Sequence, residues 1–137
     1  MASRLNPYLS FAGNARQAME FYKEVFGGEL NVNTFADFGN TEGEIANNVM
    51  HSQLETPSGY TLMASDMAPD QGAAVPNSAV SLSGDDADEL RGYWEQLSGK
   101  GGTVQVPMEK QMWGDEFGMC VDQFGVPWMV NVVAQQG

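Results

Sequence analysis

The sequence predicts an α+β fold in which two βαβββ modules in tandem form a curled mixed sheet around a cleft. Three observations lead to this prediction. Two amphipathic helical segments are each preceded by one short apolar segment, and each is followed by three more. This order occurs twice, and equivalent cap and turn residues recur at nearly constant spacing. Such self-similarity indicates a duplicated structural unit.

The first module is predicted over residues 1–66. A strand, PYLSF (7–11), precedes a helix that begins after Asn14 as N-cap and ends at Gly27 and Gly28. The apolar stripe of this helix consists of Ala15, Ala18, Met19, Tyr22, Val25 and Phe26. The three strands that follow are predicted from the segments ELNVNTF, EIANNVMHSQLE and YTLMASD.

The second module is predicted over residues 78–137. Its first strand is SAVSL (78–82), and Asp85 or Asp86 caps its helix, which ends in the glycine-rich segment 99–102. The apolar stripe of the helix consists of Ala87, Leu90, Tyr93, Trp94 and Leu97. The later strands are predicted from TVQV, FGMCVD and WMVNV. The segment MAPDQGAAVPN (67–77) is the predicted linker within one structural domain.

Equivalent residues of the two modules keep a nearly constant separation. Asn14 and Asp86 are 72 residues apart, Gly28 and Gly102 are 74 apart, and Gly59 and Gly125 are 66 apart. One helix covers only one face of a four-stranded sheet, so the other face needs a partner. We therefore expect the two sheets to enclose a cleft that binds a ligand.

Composition excludes several classes of function. The 137 residues are 42% hydrophobic, which is enough for a core, and the net charge is −12. This acidic protein should repel nucleic acid and anionic membranes. No apolar run approaches the ~20 residues of a membrane span, and the N-terminus does not resemble a signal peptide. The single cysteine, Cys120, excludes an internal disulfide. We expect a cytoplasmic protein.

Four segments carry a resemblance to a known family. They are NPYLSFAGNARQAMEFYKEVFGG (6–28), VMHSQL (49–54), YTLMASDMAP (60–69) and WGDEFGMCVDQFGVPWMVNV (113–132). The chain resembles the vicinal oxygen chelate superfamily, which has the glyoxalase/bleomycin-resistance/dioxygenase fold, and within it the PhnB-like branch. The resemblance implies the duplicated fold. It does not assign a function, because this scaffold is used by isomerases, dioxygenases, drug-modifying transferases and drug-binding proteins.

The resemblance also implies where a divalent metal would bind. In the superfamily, the first and last strands of both modules supply the ligands, usually His and Glu. The matching positions here are Pro7, Met63, Ala79 and Met129. None is a hard ligand, and thioether sulfur suits Cu(I) rather than Mg²⁺, Mn²⁺, Ni²⁺, Zn²⁺ or Fe²⁺. With one histidine in the chain, a site of two His and one carboxylate cannot be built. An all-carboxylate Mg²⁺ site remains open. We predict no metal and no cofactor.

The last strands supply most of the candidate ligand-binding residues. Strand alternation places Ser65 on the face of Met63, and Asn131 on the face of Met129. The alternative for both methionines is a packing role. His51 is either a pocket residue that binds ligand or acts as a base, or a structural or interface histidine.

Aromatic residues complete the candidate set. Trp113 and Phe117 lie on either side of a predicted bend at Gly114. They form either a mobile rim that closes over the ligand or a packed cluster over the turn. Phe11, at the end of the first strand, is also assigned to the ligand site. Cys120 is expected to be buried and inert. Asp115 and Glu116 are adjacent on a strand and should face opposite ways, which argues against a catalytic dyad.

Two main hypotheses of function follow. The leading one is a metal-free cleft that binds a small, partly apolar organic molecule of unknown identity, with or without catalysis. The alternative is a metal-dependent lyase, isomerase or dioxygenase whose ligands lie elsewhere. A third possibility is that the fold serves only in assembly. We also expect a homodimer, since members of this superfamily commonly pair.

Overall fold

The computed structural model describes residues 6–39, 44–66, 77–99 and 101–134. The chain divides into two compact units, Met1–Pro76 and Asn77–Gly137. The predicted linker, 67–77, lies outside the described residues except for Asn77. The module boundaries therefore stay a prediction.

The first unit contains one helix and a four-stranded mixed sheet. Its elements are β1 (Tyr8–Phe11), α1 (Ala15–Phe26), β2 (Glu29–Thr34), β3 (Val49–Glu55) and β4 (Thr61–Asp66). The strand order is β1-β4-β3-β2. β1 pairs with β4 in parallel, and the other pairs are antiparallel. The segment before Val49, predicted as part of the strand, contains a 3₁₀ turn at Glu44–Asn47 instead.

The second unit repeats this arrangement. Its elements are β5 (Val80–Gly84), α2 (Ala87–Ser98), β6 (Thr103–Lys110), β7 (Glu116–Val121) and β8 (Pro127–Val132). The strand order is β5-β8-β7-β6, again with one parallel pair, β5 with β8. β6 is longer than the predicted TVQV. It is an edge strand whose register shifts on both sides of Val106, and such irregularities allow an edge strand to include Pro107.

The internal repeat is confirmed at the level of individual hydrogen bonds. In the first unit the β3–β4 turn is closed by Thr56 N–H donating to the Tyr60 carbonyl, and in the second unit Asp122 N–H donates to the Val126 carbonyl. A second backbone bond also recurs within each turn: Gly59 N–H donates to the Thr56 carbonyl, and Gly125 N–H donates to the Asp122 carbonyl. Each pair is separated by the same 66 residues that the glycines predicted.

Gly28 and Gly102 also recur for a packing reason. A Cβ on Gly28 would lie 2.0 Å from the Glu55 carbonyl oxygen. One on Gly102 would lie 2.8 and 2.9 Å from the carbonyl oxygens of Leu97 and Ser98 at the end of α2, and 3.0 Å from that of Val121. Glu55 and Val121 are the last residues of the equivalent strands β3 and β7. Both positions therefore need glycine because backbone carbonyls leave no room for a side chain there. This requirement is separate from any role of these glycines in ending the helix.

The N-terminus of α1 is capped differently from the prediction. Asn14 occupies the N-cap position but makes no side-chain cap bond. Instead, the Asp66 carboxylate accepts from Gly13 N–H at 2.8 Å and Ala15 N–H at 2.9 Å. In α2 the cap is Asp86, which accepts from Glu89 N–H at 3.1 Å. The sequence next to the helix predicted the capping side chain correctly for α2 only, because the side chain that caps α1 comes from a distant strand.

Each helix packs on one face of its own sheet. In the second unit, a Cβ on Gly118 would lie 2.8 Å from the Trp94 ring, which places this face of β7 under α2. Trp128 is fully buried on the same face, and its indole N–H donates to Asp122 at 2.8 Å. Cys120 is also buried there, and burial, with a smaller effect of the Asp122 charge, raises the pKa of its thiol to about 11. This agrees with an inert thiol.

Candidate ligand-binding faces

Strand alternation leaves each sheet with one face that its own helix does not cover. We define the first open face as the side chains of this kind in the first unit. They are Tyr8, Ser10, Glu29, Asn31, Asn33, His51, Gln53, Glu55, Thr61, Met63 and Ser65. The second open face, in the second unit, consists of Ser81, Ser83, Thr103, Val106, Glu109, Phe117, Met119, Val121, Pro127, Met129 and Asn131.

The first open face is mainly polar. Met63 lies between Gln53 of β3 and Tyr8 of β1 in the strand register, and Asn33 of β2 lies opposite His51. Met63 and His51 are half-buried. The face therefore surrounds one thioether with hydrogen-bonding groups.

His51 has an aromatic neighbour that the sequence analysis did not identify. The Tyr8 hydroxyl lies 3.5 Å from His51 Nδ1, and the two ring centroids are 6.0 Å apart. The Tyr8 side chain is 51% exposed. A hydrogen bond of this length is weak, so the His51 imidazole remains able to bond a ligand. The alternation of β1 could have indicated Tyr8, because it lies two residues from Ser10 on the face opposite Leu9.

The second open face is more apolar. Met129 lies between Met119 of β7 and Ser81 of β5, and Asn131 lies between Phe117 and Ser83. Met119, which the sequence analysis did not single out, thus adds a second thioether beside Met129. Met129 is half-buried, whereas its neighbour Trp128 faces α2. The pair Trp128-Met129 therefore divides between the core and the open face.

Asn131 is held in place by Asp115. Its amide Nδ2 donates to Asp115 Oδ2 at 3.0 Å, and the backbone N–H of Ala134 donates to Asp115 Oδ1 at 2.8 Å. The Asn131 bond first, and then the Ala134 bond, hold the pKa of Asp115 below its ordinary value. Glu116 instead forms an ion pair with Arg91, which lowers the pKa of Glu116. The adjacent carboxylates therefore have separate partners, as expected, and do not form a dyad.

Trp113 lies in the turn that connects β6 and β7. Gln111 N–H donates to the Asp115 carbonyl at 2.7 Å, and Gly114 has the positive φ of 102° that the turn requires. The Trp113 side chain is 60% exposed, and its ring lies 6.4 Å from that of Phe117 at 57°. Trp113 thus extends the apolar surface of Phe117 outward.

Phe11 does not belong with these residues. It is 4% exposed, and alternation places it with buried Leu9, on the face of its sheet opposite Tyr8. Its register partner, Asp66, is likewise buried and bonds the start of α1. The assignment of Phe11 to the ligand site is therefore wrong: in this short strand it is Tyr8 that faces the open side.

The residues at the positions that the family resemblance assigns to metal ligands do not fit a divalent metal. Pro7 and Ala79 carry no donor atom in their side chains, and Met63 and Met129 offer only thioether sulfur, a poor ligand for hard cations. Within residues 6–39, 44–66, 77–99 and 101–134, no three His, Cys, Asp or Glu side chains are grouped as metal ligands would be. The chemistry of the donors thus gives no basis for a metal-dependent step at these positions.

Among the helices that the structure describes, none is long and apolar enough to cross a membrane.

Comparison with known proteins identifies related sequences and structures. The chain is 30% identical to protein YjdN of Escherichia coli, in an alignment that covers 96% of this chain and 97% of YjdN.

Solved structures match over nearly the whole chain. Protein PA1353 of Pseudomonas aeruginosa is 34% identical with a TM-score of 0.84, and the match covers 98% of this chain and 100% of that protein. A PhnB protein of Bacillus cereus shares the fold, with 20% identity, a TM-score of 0.70 and coverage of 96% and 100%. The model of one family matches residues 4–130. The chain therefore belongs to the Glyoxalase/Bleomycin resistance protein/Dioxygenase superfamily.

Proposed function

We propose that this protein binds a small, partly apolar organic molecule on its open faces without a divalent metal. The observation that carries the proposal is the position of Met129. Its thioether, at a position that the family resemblance assigns to a metal ligand, lies on the second open face with Met119 directly opposite on β7. Two thioethers and the Phe117 ring provide an apolar surface for a ligand, whereas they provide no oxygen or imidazole for a hard cation.

Polar groups on each open face would orient a ligand bound to that face. Ligand sites are typically apolar surfaces with a few fixed hydrogen-bonding groups. Asn131 is such a group on the second open face, and His51, Gln53 and Ser65 lie on the first, where the Gln53 amide donates to Glu55. The net charge of −12 favours neutral or cationic ligands over anions. Location in the cytoplasm is part of this proposal.

The first test is elemental analysis. Protein purified without chelators should contain far less than one equivalent of Ni, Zn, Mn or Fe after dialysis. Stoichiometric metal that resists dialysis would contradict the proposal and support the alternative, a metal-dependent lyase, isomerase or dioxygenase.

The second test concerns the second open face. Small molecules released by denaturing protein from its native host are compared by mass spectrometry for the wild type, Met129→Arg and Met112→Arg. Met112 is 98% exposed, so the control adds the same charge at a side chain that is open to solvent. We expect a molecule that is present in wild type and Met112→Arg and absent in Met129→Arg. Equal retention in both variants would exclude this face as the binding site.

The proposal includes a homodimer. One chain has a mass of 14.8 kDa. Size-exclusion chromatography with light scattering at micromolar concentration should therefore give about twice this value. A mass near that of one chain would contradict this part of the proposal and leave ligand binding unaffected.

A further inference from the structure

We infer that the second open face favours ligands that donate a hydrogen bond to the amide oxygen of Asn131 over ligands whose polar group can only accept. This inference rests on the proposed function and specifies the ligand class. The expected ligand is a neutral or cationic molecule with an apolar body and a hydroxyl or N–H group.

The orientation of the Asn131 amide follows from its partner. An ionised carboxylate can accept hydrogen bonds but cannot donate them. The pKa of Asp115 is lowered, so this group is ionised near neutral pH. The NH₂ group must therefore face Asp115 Oδ2, at 3.0 Å. A flipped amide would place its oxygen against the carboxylate.

The carboxylate is itself fixed, so it cannot turn to adapt to a ligand. The backbone N–H of Ala134 donates to Asp115 Oδ1 at 2.8 Å, and the turn before β7 is closed by the Gln111–Asp115 backbone bond. One of the two Nδ2 hydrogens is bonded to Asp115, and Asn131 Oδ1 has no bonded donor among the residues that the structure describes. It therefore offers a ligand an acceptor of fixed orientation.

The surroundings of Asn131 define the rest of the ligand. Phe117 is its register partner on β7, and the Met119–Met129 pair lies two residues along the same strands. An apolar ring or chain on these side chains brings a terminal polar group to Asn131. A ligand carboxylate or carbonyl at that point would meet the Asn131 oxygen and the negative charge of Asp115, which is repulsive.

The test uses four probes that share one ring: phenol and benzylammonium can donate, and acetophenone and benzoate can only accept. Binding is measured from the NMR shifts of ¹³C-methyl-labelled Met119 and Met129 and of the Asn131 side-chain amide. The comparison of phenol with acetophenone is decisive, because both are neutral. We expect phenol to bind about five- to tenfold more tightly, as one hydrogen bond supplies.

Two variants test the role of the amide. Asn131→Ala should weaken phenol by the same five- to tenfold factor and leave acetophenone unchanged. Asp115→Asn frees the amide to flip, so the preference for phenol should decrease. Asp88→Asn, which removes one charge from an exposed position of α2, should keep the preference. If Asp115→Asn does not fold, Asn131→Ala alone still decides the matter.

The outcomes distinguish this inference from the proposed function. If acetophenone shifts the Met119 and Met129 methyl signals as strongly as phenol, the donor rule is wrong and the open face remains a binding site. If no probe shifts these methyl signals up to its solubility limit, binding at this face is excluded, and both the inference and that part of the proposed function are overturned.

Discussion

Asp66 offers the clearest test of how the first unit is held together. This buried carboxylate, 3% exposed, accepts three backbone N–H bonds. Oδ1 accepts from Gly13 and Ala15 at the start of α1, and Oδ2 accepts from Val49, the first residue of β3, at 2.8 Å. One side chain therefore joins a helix and two strands, including those that carry His51 and Ser65.

The substitution Asp66→Asn keeps the shape and removes the charge. An amide whose oxygen faces Gly13 and Ala15 turns its NH₂ toward the Val49 N–H, so one charge-assisted bond worth about 1.5–3 kcal/mol is lost. The two remaining bonds fall to neutral strength, about 1 kcal/mol less each. We therefore expect the free energy of unfolding to fall by about 4 kcal/mol, a large part of the roughly 5–15 kcal/mol typical of a domain.

Urea unfolding followed by circular dichroism measures this loss, at constant m-value. The control is Asp88→Asn in the exposed first turn of α2, where the interactions with the helix dipole and with Arg91, together about 0.5–1 kcal/mol, are lost. If Asp66→Asn costs no more than Asp88→Asn, the carboxylate does not stabilise the junction, and the description of Asp66 as the cap of α1 is wrong.

Three further predictions concern single residues. Gly28→Ala should destabilise by about 2–4 kcal/mol, because a Cβ meets the Glu55 carbonyl at 2.0 Å; Gly59→Ala, with φ of 89° and open space, should show only the conformational cost of about 1 kcal/mol in the same urea assay. Cys120 should not react with a thiol-specific disulfide reagent at pH 8 until the protein is unfolded, since it is buried and its pKa is about 11. The stability difference between wild type and Asp115→Asn should be constant above about pH 5 and shrink below about pH 4 in acid unfolding, because a lowered folded-state pKa stabilises only while the group is ionised.

The order of elements could be predicted because its signals are local. Helix periodicity and glycine stops placed α1 and α2, which cover Ala15–Phe26 and Ala87–Ser98 and are separated by the predicted 72 residues. The repeated turn glycines, Gly59 and Gly125, placed β4 and β8 at the predicted separation of 66. Pairing within each sheet then follows from the duplication.

The errors arise where the deciding partner is distant in the sequence. Asn14 has the residue type of an N-cap, but the carboxylate that bonds the start of α1 comes from Asp66, 51 residues beyond Ala15. Phe11 belongs to a strand with apolar residues on both faces, so the apolar pattern did not reveal which face is covered. The predicted strand TVQV stops before Pro107, whereas β6 continues through this residue as a bulged edge strand.

The internal repeat is present in the backbone but not in the polar side chains at equivalent positions, and this difference bears on function. Asp66 bonds the start of α1, but the equivalent residue after 66 positions is Val132. Asp122 bonds the indole of Trp128, but its equivalent is Thr56, whose hydroxyl accepts from Tyr60 N–H. The two modules are thus stabilised by different side chains on equivalent frames.

The open faces differ in the same way. His51 and Gln53 make the first face polar, while Phe117 and Met119 make the second apolar. Met63 and Met129, at positions that the family resemblance assigns to metal ligands, supply only thioether sulfur, a poor ligand for hard divalent cations. The second face by itself, with the Met119–Met129 pair beside Asn131, suits an organic ligand that is apolar along its body and polar at one end.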